Sequence, residues 1–428
     1  SDRYGAGMFE LERLGNGTRI LTAPMRDAAS VAVVIAVAAG SRCEIPASGG
    51  IAHFAEHMFF KGTERRPTAR DISAEIDGIG GEFNAFTGKE LTAYYVKCAA
   101  ADGGTALDVL SDMFLASTFD AEEIEREKGV IVEEINMYTD TPRDIVGQVY
   151  DTARYGDSPI GRPIIGTKET VRAATRDTFL DYLGTWYKPE RIAIGLGGHV
   201  TDALLDDVRT RFGALPAEAS PALPETIIPE IAEPVIAIER RDGDQAHIVL
   251  GVPGLRSNDE DRYAMAVWQA VIGGGMSSRL FTEVRERRGL AYYVFGRNAA
   301  YTDTGSFAVQ AGVDIARAPL AVEVIANELR RMVDEPIPAD EIAKAKRYLI
   351  GHTVLNQEDP SGRIFFGLRR ELLEGGWVGL DEVIAGIEAV TPDDLRRIGE
   401  RVVRLDRAVL AGVGPLDDVE GLRAALGA

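Results

Sequence analysis

The chain repeats itself. Glu123-Ile124 and Glu341-Ile342 stand 218 residues apart, each at the opening of a helical pattern. The elements around them also follow one order. In the first half, strand-like Thr92-Ala93-Tyr94-Tyr95-Val96 precedes an amphipathic helix around Ala106 to Leu115, and Asp120-Ala121-Glu122-Glu123-Ile124 opens the next. In the second half, Phe307-Ala308-Val309-Gln310-Ala311 leads to a helix around Leu320 to Met332, and Pro338-Ala339-Asp340-Glu341-Ile342 opens its successor. Between the halves, Leu215 to Pro234 holds Pro216, Pro221, Pro224, Pro229 and Pro234, which no helical or strand period survives. This predicts an α+β protein with two homologous α/β sandwich domains in tandem, each a mostly antiparallel sheet with helices packed on it. The expected boundaries are 1–218 for the first domain, 219–234 for an extended linker and 235–428 for the pseudo-repeat.

The 428 residues are 45% hydrophobic and 27% charged, ordinary for a soluble globular chain. A net charge of -20 argues against nucleic-acid binding and favours solubility or attraction of basic ligands. The longest apolar run, Val31 to Ala39, is too short to span a bilayer and suits a buried strand. The two cysteines, Cys43 and Cys98, fit neither a disulfide framework nor a Cys-rich zinc site. Buried and reduced, they point to a cytoplasmic protein. Nothing at the N-terminus reads as a signal peptide; a leader removed before Ser1 would make the periplasm the compartment instead.

Chemistry concentrates in the first copy, at His53-Phe54-Ala55-Glu56-His57. At about 100° per residue, Glu56 lies roughly 60° to one side of His53 and His57 roughly 40° to the other. Two imidazoles on one helical face can share a metal while the carboxylate between them reaches a water in its coordination shell. The order reverses the common zinc-peptidase signature and defines the inverzincin motif. The bland reading is a helix whose histidines are merely packed. No histidine pair recurs in the second half, so only the first copy carries this chemistry; His199, His247 and His352 stand in no motif.

Two histidines need a third protein ligand. The helix expected from Asp120 to about Tyr138 offers candidates, with Ile124, Ile131, Ile135 and Tyr138 as its apolar stripe. Relative to Ile124, Glu134 falls near -80° and Glu127 near -60°, roughly on the flank of that stripe, while Glu133 falls near 180° and faces water. Glu127 and Glu134 stack two turns apart. A carboxylate flanking a buried stripe needs a partner, which a cation supplies; a glutamate snorkelling at the core margin is the alternative. At the offset of 218 the two positions become Ala345 and His352.

His53-Phe54-Ala55-Glu56-His57-Met58-Phe59-Phe60-Lys61-Gly62-Thr63 resembles the active-site helix of the pitrilysin, insulysin and mitochondrial processing peptidase family, and the chain is most similar to its short two-domain bacterial members. In that family a glutamate 77 positions beyond the second histidine completes the zinc site, which here is Glu134, and a second acidic residue lies seven before it, here Glu127. Gly80-Gly81-Glu82-Phe83-Asn84-Ala85-Phe86-Thr87 resembles the segment after the zinc helix, which implies that Asn84, Ala85, Phe86 and Thr87 border an edge strand accepting substrate backbone. Gly273-Gly274-Gly275-Met276-Ser277-Ser278-Arg279-Leu280, with Val284-Arg285 and Gly289-Leu290-Ala291-Tyr292, resembles the second-half signature. There Arg285 and Tyr292 match an arginine and a tyrosine that reach substrate. Gly289 should end the helix between them. Glu90 departs from the Asp of many relatives.

The resemblance implies one zinc ion per chain, held by His53, His57 and Glu134, with Glu56 as general base and Glu127 orienting a ligand. Arg285 and Tyr292 would stabilise the transition state. It implies a peptidase acting on peptides or unfolded segments inside a chamber closed like a clamshell. A two-domain chain would build that chamber with a partner subunit, a second copy in a homodimer or a related chain in a heterodimer. The rival reading is a non-catalytic structural subunit of such a complex.

Overall fold

In a computed structural model, residues 3–376 and 378–427 are described. Twelve strands among them form two sheets. The first comprises β1 (Arg3–Ala6), β2 (Phe9–Arg13), β3 (Arg19–Pro24), β4 (Ser30–Val37), β5 (Glu82–Thr87), β6 (Thr92–Ala99) and β7 (Ile192–Gly198). The second comprises β8 (Val235–Arg240), β9 (Ala246–Pro253), β10 (Ala291–Ala300), β11 (Gly305–Val313) and β12 (Val409–Gly414). Their spatial orders are β1-β2-β3-β7-β4-β6-β5 and β10-β11-β9-β12-β8. Reversed, the second order matches the last five strands of the first, position for position. Each sheet has a single parallel pair, β3 with β7 and β8 with β12, at equivalent places, and all other pairings are antiparallel. The α+β duplication expected from the 218-residue offset is therefore present in the topology.

β4 explains why Val31 to Ala39 reads as one unbroken apolar run. Val31, Val33, Ile35 and Val37 face a core shared with the helix Ile51–Phe59, while Ala32, Val34 and Ala36 face another core. Both faces of the strand are covered, so period-two alternation is absent.

The helix covering that second face comes from the other half of the chain. Pro360–Leu373 places Ile364 and Leu368 against Phe9, Leu21, Ala32 and Val34. It approaches closely because β7 carries Gly195 and Gly197: a Cβ at Gly195 would sit 2.6 Å from both Ile364 and Leu368, and one at Gly197 would sit 2.4 Å from the Pro360 carbonyl. Exactly 218 residues earlier, the helix Pro142–Tyr155 packs Val146 and Tyr150 onto Val249, Ala308, Val409, Ala411 and Val413 of the second sheet. Each copy thus lends one helix to the other.

The contiguous domains expected at 1–218 and 235–428 are corrected accordingly. One compact unit ends its first segment at Ile135 and adds Pro163–Pro224 and Val354–Leu380; the other holds Asn136–Arg162, Glu225–Thr353 and the chain from Asp381. The physical reason is burial: each sheet has an apolar second face, and the helix that covers it is encoded in the opposite copy. The expected linker has no helix or strand between Leu215 and Pro234. Its first part is fixed to the first unit, where the buried Arg42 guanidinium donates to the Pro224 carbonyl at 2.8 and 2.6 Å and pairs with Glu90 at 2.6 Å. Glu90 is therefore part of the interior.

Candidate functional site

The motif helix runs Ile51–Phe59 and is fixed at both ends. Its N-terminus starts after Gly50 at φ 91, where a Cβ would also lie 2.6 Å from the Ile165 carbonyl, so glycine is required. The buried Glu44 carboxylate accepts from the Gly50 and Ala52 amides, both at 2.8 Å, satisfying orphan donors of the first turn with a negative charge at the positive end of the helix dipole. Ile51, Phe54, Ala55, Met58 and Phe59 are buried, with the Phe59 ring against Tyr94, Phe114 and Phe119. That leaves His53, Glu56 and His57 on the half-buried opposite face, as the 100° step requires.

The second element is the helix Ala121–Asp140, capped by Asp120, whose Oδ1 accepts from the amides of Glu122 at 2.9 Å and Glu123 at 3.1 Å. Ile124, Ile131 and Ile135 are buried and Glu133 is exposed, as helical phase requires. The expected stripe stops there: Tyr138 is 49% exposed, because the helix continues past the core it packs on. Glu127 is buried and Glu134 half-buried.

The two helices bring His53, His57 and Glu134 together. The Nε2 atoms of the histidines lie 3.2 Å apart. Glu134 Oε1 is 3.7 Å from His53 Nε2, and Oε2 is 3.6 Å from His57 Nε2. Two nitrogens bound to one tetrahedral zinc at the usual lengths stand about 3.3 Å apart, so the imidazoles sit at ligand spacing and the carboxylate within a few tenths of an ångström of it. Among the described residues this is the group of three acidic, histidine or cysteine side chains placed to hold a metal. Burial, aided by His57, pushes His53 down to about 4, so that at neutral pH it is the neutral imidazole a metal needs. His57 Nδ1 lies 2.9 Å from Glu127 Oε1. An ionised carboxylate accepts only, so Nδ1 carries the proton and Nε2 is left with the free lone pair that a metal ion would take. The second Glu127 oxygen lies 2.5 Å from Lys61 Nζ. Burial alone would raise Glu127, but the bonds from His57 and Lys61 outweigh it and hold the acid below its ordinary value.

Glu56 shares the open side of the motif helix. Burial raises its pKa, against the opposing effects of a hydrogen bond from Thr87 and of His57. Thr87 Oγ1 donates to Glu56 Oε2 at 2.5 Å. Thr87 ends β5, the outermost strand of its sheet, which pairs only with β6 among the described strands. Strand alternation puts Ala85 on the side of Thr87 and turns Asn84 and Phe86 to the other face, where Phe86 packs on Phe365 with ring centroids 5.7 Å apart. Of the four residues expected to border substrate, Thr87 is therefore the one whose side chain joins the centre.

Arg285 and Tyr292 belong to the second unit. The turn Phe281–Glu286 is π-helical, Arg285 lies over the Phe281 ring at 4.9 Å, and Gly289 at φ 56 leads into β10, where Tyr292 is 57% exposed. The glycine separates the pair as expected. The roles of Glu44, Lys61 and Thr87 escaped sequence reasoning. The one signal for Lys61 was its place four residues after His57, just past the end of the helix; none existed for the contact between Thr87 and Glu56, which spans 31 residues.

Comparison with known proteins finds matches along most of the chain. Residues 19–168 match the model of the insulinase family (peptidase family M16), and residues 173–349 match the model of the peptidase M16 inactive domain. An uncharacterized zinc protease of Streptomyces coelicolor is 38% identical over 98% of this chain and 92% of its own length. An uncharacterized zinc protease of Bacillus subtilis is 37% identical over 94% of this chain and 97% of its own. The crystal structure of a protease from Helicobacter pylori superposes with a TM-score of 0.89 at 22% identity, covering 95% of this chain and 99% of that one, which establishes the shared fold. The chain belongs to the insulinase family, peptidase family M16, among its short bacterial two-domain members. Both of those sequence relatives carry the name of zinc proteases.

Proposed function

We propose that the chain is a zinc-dependent endopeptidase that hydrolyses peptides or unfolded segments, with one zinc ion per chain held by His53, His57 and Glu134. The observation that carries this reading is the convergence of those three side chains beside a half-buried glutamate. When bound, zinc supplies Lewis acidity, polarising a carbonyl and bringing the pKa of a water towards neutrality. The chain's own residues do the rest. Glu56, one oxygen held by Thr87, keeps the other to take a proton from the attacking water and deliver it to the departing amine. Its raised pKa suits both halves of that task. Glu127 keeps His57 in the tautomer that leaves Nε2 unprotonated. The outer edge of β5 offers main-chain donors and acceptors to an extended peptide, a mode that asks little of the substrate's side chains. Arg285 and Tyr292, contributed by a second copy of the chain, supply hydrogen-bond donors to the developing oxyanion. The working form in this reading is a homodimer enclosing a chamber that admits unfolded segments and excludes folded proteins.

Metal analysis paired with a quenched-peptide assay tests the reading. Glu56→Gln should retain about one zinc per chain and lose peptide cleavage. Undiminished cleavage by that variant removes Glu56 from the chemistry. A wild-type chain that binds zinc and cleaves no member of a mixed peptide library would instead be the non-catalytic subunit of a processing-peptidase-like complex.

A further inference from the structure

We infer that Lys61 is a positioning residue for the metal centre, acting through Glu127 to hold the His57 ring; this rests on the zinc reading above. The Glu127 carboxylate is shared, with Oε1 2.9 Å from His57 Nδ1 and Oε2 2.5 Å from Lys61 Nζ. His57 and Lys61 lie at the C-terminal end of the motif helix, Phe60 being its C-cap, and the Lys61 amide donates to the Met58 carbonyl at 3.1 Å. Glu127 comes from the facing helix and is buried, its side chain 6% exposed. One carboxylate therefore clamps two donors spaced four residues apart.

A carboxylate held at one oxygen can still swivel about its terminal bond; held at both, it is fixed in plane and direction. The direction matters because His57 has two jobs. Its Nδ1 must donate to Glu127 while its Nε2 keeps the 3.2 Å spacing to His53 Nε2. A ring turned by a swivelling partner loses that spacing. The ammonium also occupies the oxygen that burial would otherwise leave without a donor of its own. Lys61 does not touch the ligand nitrogens or Glu134, so its influence on the metal runs through Glu127.

The test is zinc affinity of the metal-free, full-length chain, measured by competition with a chromophoric chelator, alongside the thermal midpoint of the metal-free protein. Lys61→Met should weaken zinc binding by about 10–100-fold, the range for partners that orient a metal ligand, and Lys61→Arg should stay within about threefold of wild type. Lys61→Met combined with Glu127→Gln should bind zinc no more weakly than Glu127→Gln alone. That comparison also serves if the single methionine variant does not fold, since the double substitution removes the stranded charge. A lysine that only stabilises the fold would lower the metal-free midpoint and leave zinc affinity at the wild-type value; that outcome, or full additivity of the two losses, overturns the inference. A wild-type chain that binds no zinc overturns the zinc reading itself, a different result from zinc bound equally well by wild type and Lys61→Met.

Discussion

Thr87→Val isolates the contact between the outer strand and the proposed general base. Valine keeps the shape and strand propensity of threonine and replaces the hydroxyl by a methyl, so β5 should keep its pairing with β6. What is lost is one hydrogen bond of 2.5 Å to Glu56 Oε2, in a half-buried setting. Hydrogen bonds to charged groups contribute about 1.5–3 kcal/mol. If that orientation is needed in the transition state, the loss corresponds to a fall of about 10–150-fold in kcat. KM should hardly change, because the hydroxyl is engaged by Glu56 and not by substrate. Thr87→Ser, which restores the donor, should recover most of the activity. Steady-state kinetics on a quenched peptide, with zinc content checked in parallel, reads all of this. A raised KM with unchanged kcat would show that Thr87 binds substrate directly, and kcat within twofold of wild type would refute the argument.

Glu134→Gln replaces the proposed third ligand by a poor one, and zinc retained after dialysis should fall well below one ion per chain by elemental analysis. Arg66 is buried and holds Glu75 at 2.8 Å, Asp108 at 2.7 Å and Asp112 at 2.8 Å. Arg66→Ala leaves the buried Asp112 carboxylate with the Thr63 hydroxyl, at 2.6 Å, and no cation, and should cost about 3–5 kcal/mol, read as a lowered thermal midpoint. The same cluster sets an acid limit: hydrogen bonds from Arg65 first, then Arg66 and Arg211, hold Asp108 well below the usual carboxylate range. A depressed folded-state pKa gives stability that is complete above the unfolded value of about 3.9 and is lost as pH falls towards the lower folded value. Thermal midpoints should therefore drop below about pH 4, and Asp108→Asn should lower the midpoint at neutral pH while flattening that acid limb.

Much of the centre was legible because helices convert spacing into direction. His53, Glu56 and His57 share a face by the 100° step alone, and the same step separates Glu134 from Glu133. The distance from His57 to the third ligand came from the family resemblance, since periodicity on one helix says nothing about which other helix it meets. Tyr138, in phase with Ile124, Ile131 and Ile135, is nevertheless exposed, because phase does not tell how far a neighbouring core extends.

By itself the sequence determined the duplication, the α+β class and the zinc-type motif, properties of local periodicity and of residues recurring at one offset, and it narrowed the answering acid to Glu127 and Glu134, between which the family resemblance chose Glu134. Only the tertiary structure decided that Pro142–Tyr155 and Pro360–Leu373 cover each other's sheets, that Lys61 and His57 divide one carboxylate, and that Thr87 reaches Glu56. The reason is that a pattern states which face of an element must be buried, whereas the identity of what buries it depends on packing between segments far apart in the chain, where an apolar stripe accepts any partner of the right shape.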